Sequence, residues 1–323
     1  MSDAPSQPPA GDAGAGPTPS SQFDEALPTG RMVERHGATL WTGATGPLDA
    51  PCVLILDGIG CSGWAFRRVV PRLSERLRVI QMHYRGHGRS PQPARPWRLS
   101  MPDLADDAAA VLEHWGIEHA IVVGFSMGFQ VALEVFRRHR ARVDALVSIA
   151  GPSGRVLSQF QGTDVFGHVL PLLQAATRHA SEFSLKLWRT VLPSRWLPLI
   201  GLHTQLNPMR IELGDLEFYL RQMSEMNPEL FADMLGEAAR HCGEDILPRV
   251  RVPSLIIAGA GDRFVPVETL RKIAFAMPRS QWLVIDGASH ALPAEYGPEL
   301  AERLLRFADE VHAEQRASAA VAT

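Results

Sequence analysis

The sequence predicts an α/β protein: a mostly parallel β-sheet flanked by helices, with an inserted helical cap. Three observations carry this. Short apolar runs that end at glycine, such as CVLILDG (Cys52 to Gly58) and SLIIAGAG (Ser254 to Gly261), have the pattern of strands buried on both faces. Amphipathic stretches separate these runs, and such alternation calls for parallel strands covered by helices on both sides. Between Gly151 and about Pro248 the alternation stops and the sequence turns helical.

The elements follow in order. Residues 1–28 are rich in Pro, Gly, Ala and Ser and lack the basic start and apolar stretch of a signal peptide, so they read as a disordered leader. MVERHGATLW (Met32 to Trp41), split by Gly37 and followed by the turn signal TGATG, predicts an antiparallel hairpin at one edge of the sheet. The strand CVLILDG is followed by a helical stretch around Phe66 to Leu77, then by RVIQMHY (Arg78 to Tyr84) and a helix from Asp103 to Trp115. AIVVGF (Ala120 to Phe125) meets a sharp turn at Ser126 and an amphipathic helix, and DALVSIAG (Asp144 to Gly151) follows. DLEFYLRQMSEM and PELFADMLGEAARHC supply helices in the insertion; SLIIAGAGD and QWLVIDG (Gln281 to Gly287) return to strand. The expected organisation is a core of residues 29–151 and 249–313, a cap of residues 152–248 and a flexible tail of residues 314–323.

Composition narrows the function classes. With 46% apolar and 21% charged residues among 323, the chain can bury a substantial core. A net charge of -3 gives no electrostatic case for nucleic acid or an anionic surface. No window approaches the ~20 apolar residues of a membrane span. Three cysteines, Cys52, Cys61 and Cys242, at unrelated spacings suit neither a disulfide framework nor a zinc site and point to a reducing, cytoplasmic setting.

The chemistry starts at GFSMG. A serine on a strand-to-helix turn has its hydroxyl lifted clear of the sheet, and its glycine neighbours avoid collisions with strand and helix. Ser126 is thus the candidate nucleophile. A hydroxyl needs a base, and the base needs an orienting acid. Asp262, at the end of SLIIAGAG, and His290, in GASHALP after QWLVIDG, stand at later strand ends in the chain order serine, acid, histidine. Taken singly, Asp262 could be a helix cap and His290 a surface histidine; their joint placement favours catalysis. The loop DGIGCSGWAF brings backbone amides over the nucleophile, with Ile59 N–H and Met127 N–H as oxyanion donors. Gly58, Gly60, Phe125, Trp188 and Trp196 are candidate pocket residues. Asp57 is read as a hydrogen-bonding loop residue, with a catalytic carboxylate as the alternative, and Cys61 as a small pocket or loop residue. His83 and His87 flank Arg85 and Gly86 with no third ligand, so no metal is expected. His203 and His241 read as exposed or capping histidines with substrate contact as the alternative.

GFSMG, GDRFVP and GASH, with DGIGCSGW and YRGHGRS (Tyr84 to Ser90), together resemble the α/β-hydrolase superfamily, in particular its capped esterase, lipase and cofactor-free haloperoxidase-like members. The likeness spans Val33 to Val311. Two departures stand out: Asp57 where many members have histidine before the glycine, and His83 where many have aspartate. The serine at the elbow argues against the similar epoxide hydrolases and haloalkane dehalogenases, which carry aspartate there. The resemblance implies a serine hydrolase that needs no cofactor and acts on a small to medium, largely apolar ester, lactone or thioester. A carbon-carbon bond hydrolase, acyltransferase or perhydrolase on the same residues, or a non-catalytic ligand-binding homologue, are the alternatives. The sequence leaves oligomeric state open.

Overall fold

The computed structural model describes residues 28, 30–154, 165–179, 181–194 and 206–322. The leader therefore lies almost wholly outside the described residues, as do Trp196 and His203.

The chain enters through an antiparallel hairpin, β1 (Arg31–Arg35) and β2 (Ala38–Thr45), whose turn is His36 and Gly37, both at positive φ. Two consecutive residues with positive φ match the right-handed twist of the flanking strands. The signal TGATG was expected to be a turn, but Thr42 to Thr45 pair with Met82 to Val79 as the end of β2. A Cβ on Gly43 would lie 2.5 Å from Pro28 Cγ and 3.0 Å from the Trp41 ring, so this glycine makes room for both side chains and the chain turns only at Gly46.

β3 (Cys52–Leu56) is buried throughout. The stretch before β4 (Arg78–Met82) holds one short helix, α1 (Val70–Leu73), where a helix from Phe66 to Leu77 was expected. Pro71 sits in its first turn and cannot extend it N-terminally, and Arg67 and Val69 instead make tighter turns onto Trp64 and Phe66. Next come α2 (Met101–His114), β5 (Ala120–Phe125), α3 (Met127–Arg138) and β6 (Val143–Ile149). Helices α4 (Val165–His179), α5 (Ser181–Val191), α6 (Leu213–Glu225) and α7 (Pro228–Arg240) fill the insertion. The chain returns through β7 (Ser254–Gly259), α8 (Val267–Ala276), β8 (Ser280–Ile285), α9 (Leu292–Glu295) and α10 (Gly297–Ala322).

The flexible tail is a correction: residues 314–322 continue α10. Their alanine-rich sequence has high helix propensity, and Arg279 to Glu314 and Gln315 to Asp144 bonds brace the start of the segment.

The eight strands make one sheet, β1-β2-β4-β3-β5-β6-β7-β8, antiparallel through β2 and β4 and parallel from β4 onward. After β4 the chain crosses back over β3 to place β5 on its far side, so the sheet order reverses there. The loops leaving β3 and β5 therefore open side by side, with Leu56 opposite Gly124. Such a switch point at the carboxyl ends of parallel strands is where ligands bind in open α/β sheets. Apolar layers pack both faces, one including Leu54, Leu56, Val122, Phe129 and Leu133, the other Val53, Ile55, Phe66, Ile121, Val123 and Phe307. Each such side chain contributes about 1.5–3 kcal/mol on leaving water, so the strand ends that bear the polar loops are held by a stiff platform.

Candidate active site

Ser126 links β5 to α3 at φ 51 and ψ −124, a conformation that a side-chain-bearing residue adopts only under constraint. Its amide donates to Ile149 O at 3.0 Å. The flanking glycines explain how the turn closes. A Cβ on Gly128 would lie 2.1 Å from Leu56 O, and one on Gly124 2.5 Å from Gly128 O. Strand and helix pass at backbone distance, and only glycine permits that.

The three distant side chains converge. His290 Nε2 lies 3.0 Å from Ser126 Oγ, and its Nδ1 lies 2.8 Å from Asp262 Oδ2. Asp262 follows β7, and its other oxygen accepts from the amides of Phe264 and Val265 at 2.8 and 2.9 Å. The carboxylate is thus fixed by backbone and fully buried, which leaves one oxygen to orient the imidazole. The ring sits between Phe125 and Phe264, with centroids at 5.4 and 5.1 Å. Beyond it, buried Glu295 accepts from the amide and hydroxyl of Ser289 at 2.8 and 2.6 Å and from the Asn207 amide at 2.7 Å. The loop bearing His290 is thereby tied to the middle of the insertion, just before its helix Leu213–Glu225.

The loop after β3 lies beside Ser126: a Cβ on Gly58 would stand 3.3 Å from Ser126 Cβ. Asp57 is buried and accepts from the amides of Gly58 and Gly63 at 3.0 and 2.8 Å, as expected of a loop-bonding residue. Burial nonetheless pushes its carboxyl up to about 6, against the pull of those amides and of the Cys61 thiol. The Cys61 thiol is itself raised well above its ordinary range, first by burial and then by Asp57, so it stays protonated. Cys61 N donates to Gly58 O at 3.2 Å, and Gly60 has φ 74, which closes a tight turn from Gly58 to Cys61. The Gly60 amide donates to His87 Nε2 at 3.1 Å. Between these engaged amides, Ile59 N–H has no partner among the described residues. Met127 opens α3, where the first N–H groups of a helix lack intrahelical acceptors.

His83 and His87 are both buried and both held neutral, pushed down by burial to about 3 and about 4. His83 Nδ1 accepts from Arg89 N at 3.0 Å, and its ring rests on Trp41 at 4.2 Å. Arg85 between them is buried and makes a bidentate pair with Asp107, both bonds 2.6 Å. Among the described residues no cluster of His, Cys, Asp or Glu is arranged to hold a metal ion. No described helix is long and apolar enough to cross a membrane.

From the insertion, α6 reaches the site. Tyr219 and Met223 face Gly60, with Tyr219 Oη 3.3 Å and Met223 Sδ 3.0 Å from its would-be Cβ, and Tyr219 stacks on Trp64 at 4.9 Å. Arg67 and Arg68 both pair with Asp215, Arg68 at 2.9 Å, and clasp α6 to the core. Of the expected pocket residues, Gly58, Gly60 and Phe125 adjoin Ser126, its loop or His290. Trp188 instead packs within the insertion: its indole N–H donates to Met223 O at 2.8 Å and its ring lies 5.2 Å from Phe231. The indole is thus a second donor to a carbonyl in the last turn of α6, which also accepts from Met226 N at 3.2 Å. His241 pairs with Glu134 of α3 at 2.9 Å and so ties the end of α7 to the core. Tyr219, Met223, Phe264, Glu295 and the His87 to Gly60 bond were missed; His87 stood inside YRGHGRS, Phe264 inside GDRFVP, and Tyr219 and Met223 inside the helical run DLEFYLRQMSEM, whereas Glu295 stood outside every quoted stretch.

A serine bonded to an imidazole that is bonded to a buried carboxylate can deliver a nucleophilic oxygen. The alpha/beta hydrolase fold family matches residues 51–295. The chain belongs to the α/β-hydrolase family. Among its relatives is the magnesium-chelatase 30 kDa subunit of Rhodobacter capsulatus, 32% identical over 76% of this chain and 83% of that protein. A 2-hydroxy-6-oxononadienedioate/2-hydroxy-6-oxononatrienedioate hydrolase of Paraburkholderia phymatum is 29% identical over 78% of this chain and 84% of that protein. A thermophilic esterase from Thermogutta terrifontis has a similar fold, with TM-score 0.67 at 22% identity, covering 88% of this chain and 99% of the esterase.

Proposed function

We propose that this α/β-hydrolase cleaves a neutral carboxylic ester, lactone or thioester through an acyl-enzyme. The observation that carries the reading is the unbroken hydrogen-bond chain from Ser126 Oγ through His290 to Asp262. With Nδ1–H donating to Asp262, His290 Nε2 is the acceptor for the serine proton. Ser126 Oγ attacks the carbonyl carbon as its proton passes to Nε2, and the amides of Ile59 and Met127 hold the oxygen that gains charge. Collapse expels the alcohol, which takes the proton back from Nε2. Water then attacks the acyl carbon by the same route, releases the acid and restores Ser126. Each step uses groups of this chain alone.

The side chains packed on the loop and the imidazole, Phe125, Phe264, Tyr219 and Met223, are apolar or uncharged, which suits a neutral apolar substrate better than the dicarboxylate named for the Paraburkholderia relative. Ser126→Ala is expected to abolish turnover of p-nitrophenyl acetate and butyrate while the thermal midpoint stays within a few degrees; turnover undiminished in that variant overturns the reading. The chelatase-subunit relative favours a second reading, in which the chain serves as a non-catalytic member of an assembly. Fluorophosphonate labelling of Ser126 separates the two, since only an activated serine is labelled.

A further inference from the structure

The turn from Gly58 to Cys61 carries the Ile59 amide, and its shape is set from outside. A trans peptide points its C=O and N–H in opposite directions. Because Gly58 O accepts from Cys61 N at 3.2 Å, the Ile59 N–H in that same peptide is directed away from Cys61 and out of the turn. The next peptide, joining Ile59 to Gly60, is the middle one. Turns with positive or negative φ at the third residue differ chiefly by a flip of this middle peptide, and glycine at that residue accepts either. Gly60 has φ 74, so one of two accessible states has been selected.

His87 holds that corner of the turn. Its Nδ1 lies 3.1 Å from Arg85 O, a carbonyl that can only accept, so Nδ1 carries the proton and Nε2 offers a lone pair. That lone pair receives the Gly60 N–H at 3.1 Å. The imidazole cannot drift: His87 is wholly buried, Tyr84 lies edge-on to it at 5.9 Å, and Arg85 is locked by its bidentate pair with Asp107. A support line therefore runs from Asp107 on α2 through Arg85 and His87 to the turn beside Ser126.

We propose that His87 is a positioning residue for the oxyanion hole: its Nε2 anchors the Gly60 corner of the turn to the core and so fixes where the turn holds the Ile59 amide against the developing oxyanion. This rests on the ester-hydrolase reading above. Neutrality of the ring, pushed down by burial to about 4, keeps Nε2 an acceptor at neutral pH.

The test is a matched pair. The amide oxygen of glutamine reaches about as far as Nε2, whereas asparagine is one methylene shorter and falls short of Gly60. On p-nitrophenyl acetate, His87→Asn is expected to lower kcat ~10- to 100-fold at unchanged KM, somewhat less than outright loss of an oxyanion donor. His87→Gln should recover kcat to within about threefold of the parent. Affinity for a trifluoromethyl ketone, which forms an oxyanion on Ser126, should fall in proportion to kcat/KM in His87→Asn and recover in His87→Gln. Thermal midpoints monitor folding, and if His87→Asn does not fold, the parallel between kcat and ketone affinity in His87→Gln decides. The proposal is overturned if folded His87→Asn keeps kcat within twofold, if the two variants are equally impaired, or if ketone affinity does not track kcat/KM. A parent protein that neither turns over the ester nor binds the ketone sinks the hydrolase reading itself, a separate result.

Discussion

Gly128→Ala puts the closeness of strand and helix to a quantitative test. The added methyl would lie 2.1 Å from Leu56 O and 2.7 Å from Asp57 O, both main-chain atoms at the end of β3. Neither can swing aside, so the start of α3 must retreat by about 1 Å to reach ordinary contact. Overpacking of this kind costs about 3 kcal/mol, and for a chain of this size that lowers the thermal midpoint by about 4–5 °C. The same retreat carries the Met127 amide and Ser126 Oγ away from the Gly58–Ile59 loop. A displacement of about 1 Å at a reacting centre costs on the order of 100-fold in rate, so kcat/KM on p-nitrophenyl acetate is expected to fall by that factor even below the new midpoint. Gly214→Ala supplies the control. Nothing lies within 4 Å of its would-be Cβ and it stands in the first turn of α6, so alanine should leave activity alone and stabilise by about 0.5 kcal/mol. If Gly128→Ala keeps both its midpoint and its kcat/KM, the steric account of the nucleophile turn is wrong.

Asp262→Asn keeps the shape but loses the charge and the preferred imidazole tautomer; kcat should drop roughly 10³- to 10⁴-fold with the thermal midpoint little changed, and a loss under tenfold would remove Asp262 from the site. Asp57 gives a pH signature. Its carboxyl sits at about 6 in the fold against an ordinary 3.8, so the folded state binds the proton more tightly than the unfolded chain. The associated stability is full below about pH 4 and is lost as pH rises through 6, on the order of 3 kcal/mol. In urea titrations the stability of the parent relative to Asp57→Asn should therefore fall as pH rises from 4 to 6.5, and a difference that is constant over that window refutes the assignment. Glu295→Ala strips a buried acceptor from the Ser289 amide, the Ser289 hydroxyl and the Asn207 amide. Unfolding by urea should show a loss of about 2–4 kcal/mol, with a fall of about tenfold in kcat as the His290 loop loosens; a variant as stable as its parent would show that the carboxylate braces nothing.

What could be read from the sequence was whatever the backbone itself enforces. GFSMG is legible because glycine at 124 and 128 is demanded by main-chain atoms within a few residues or on the adjoining strand. Asp262 and His290 are legible because apolar runs betray strand ends, and strand ends on one parallel sheet share a side. The features that escaped depend on side chains meeting across the fold. Glu295 is an acid in a short helix until Ser289 and Asn207 are seen to donate to it, and His87 looked like half of an incomplete metal pair until Gly60 was seen against Nε2. Local signals also misled where a neighbour overrode them. TGATG carries turn residues, yet pairing with β4 keeps it extended, with Gly43 against the Trp41 indole. Trp188 has the size and polarity of a pocket wall, but a carbonyl on α6 claims its N–H.

The insertion and the loop beside Ser126 are not independent parts, and Gly60 is where they meet. Its amide is held from the core side by His87, while its α-carbon is covered by Met223 and Tyr219 of α6. Any reshaping of α6 that admits a bulkier substrate also changes what presses on the turn carrying the Ile59 amide. Rate and selectivity should therefore shift together when Met223 or Tyr219 is substituted, whereas Trp188, which packs between helices of the insertion, should act on them only through the position of α6. The clasp of Arg67 and Arg68 on Asp215 limits that movement, so loosening it, as in Asp215→Ala, is expected to widen the range of esters accepted as much as changing the side chains α6 presents.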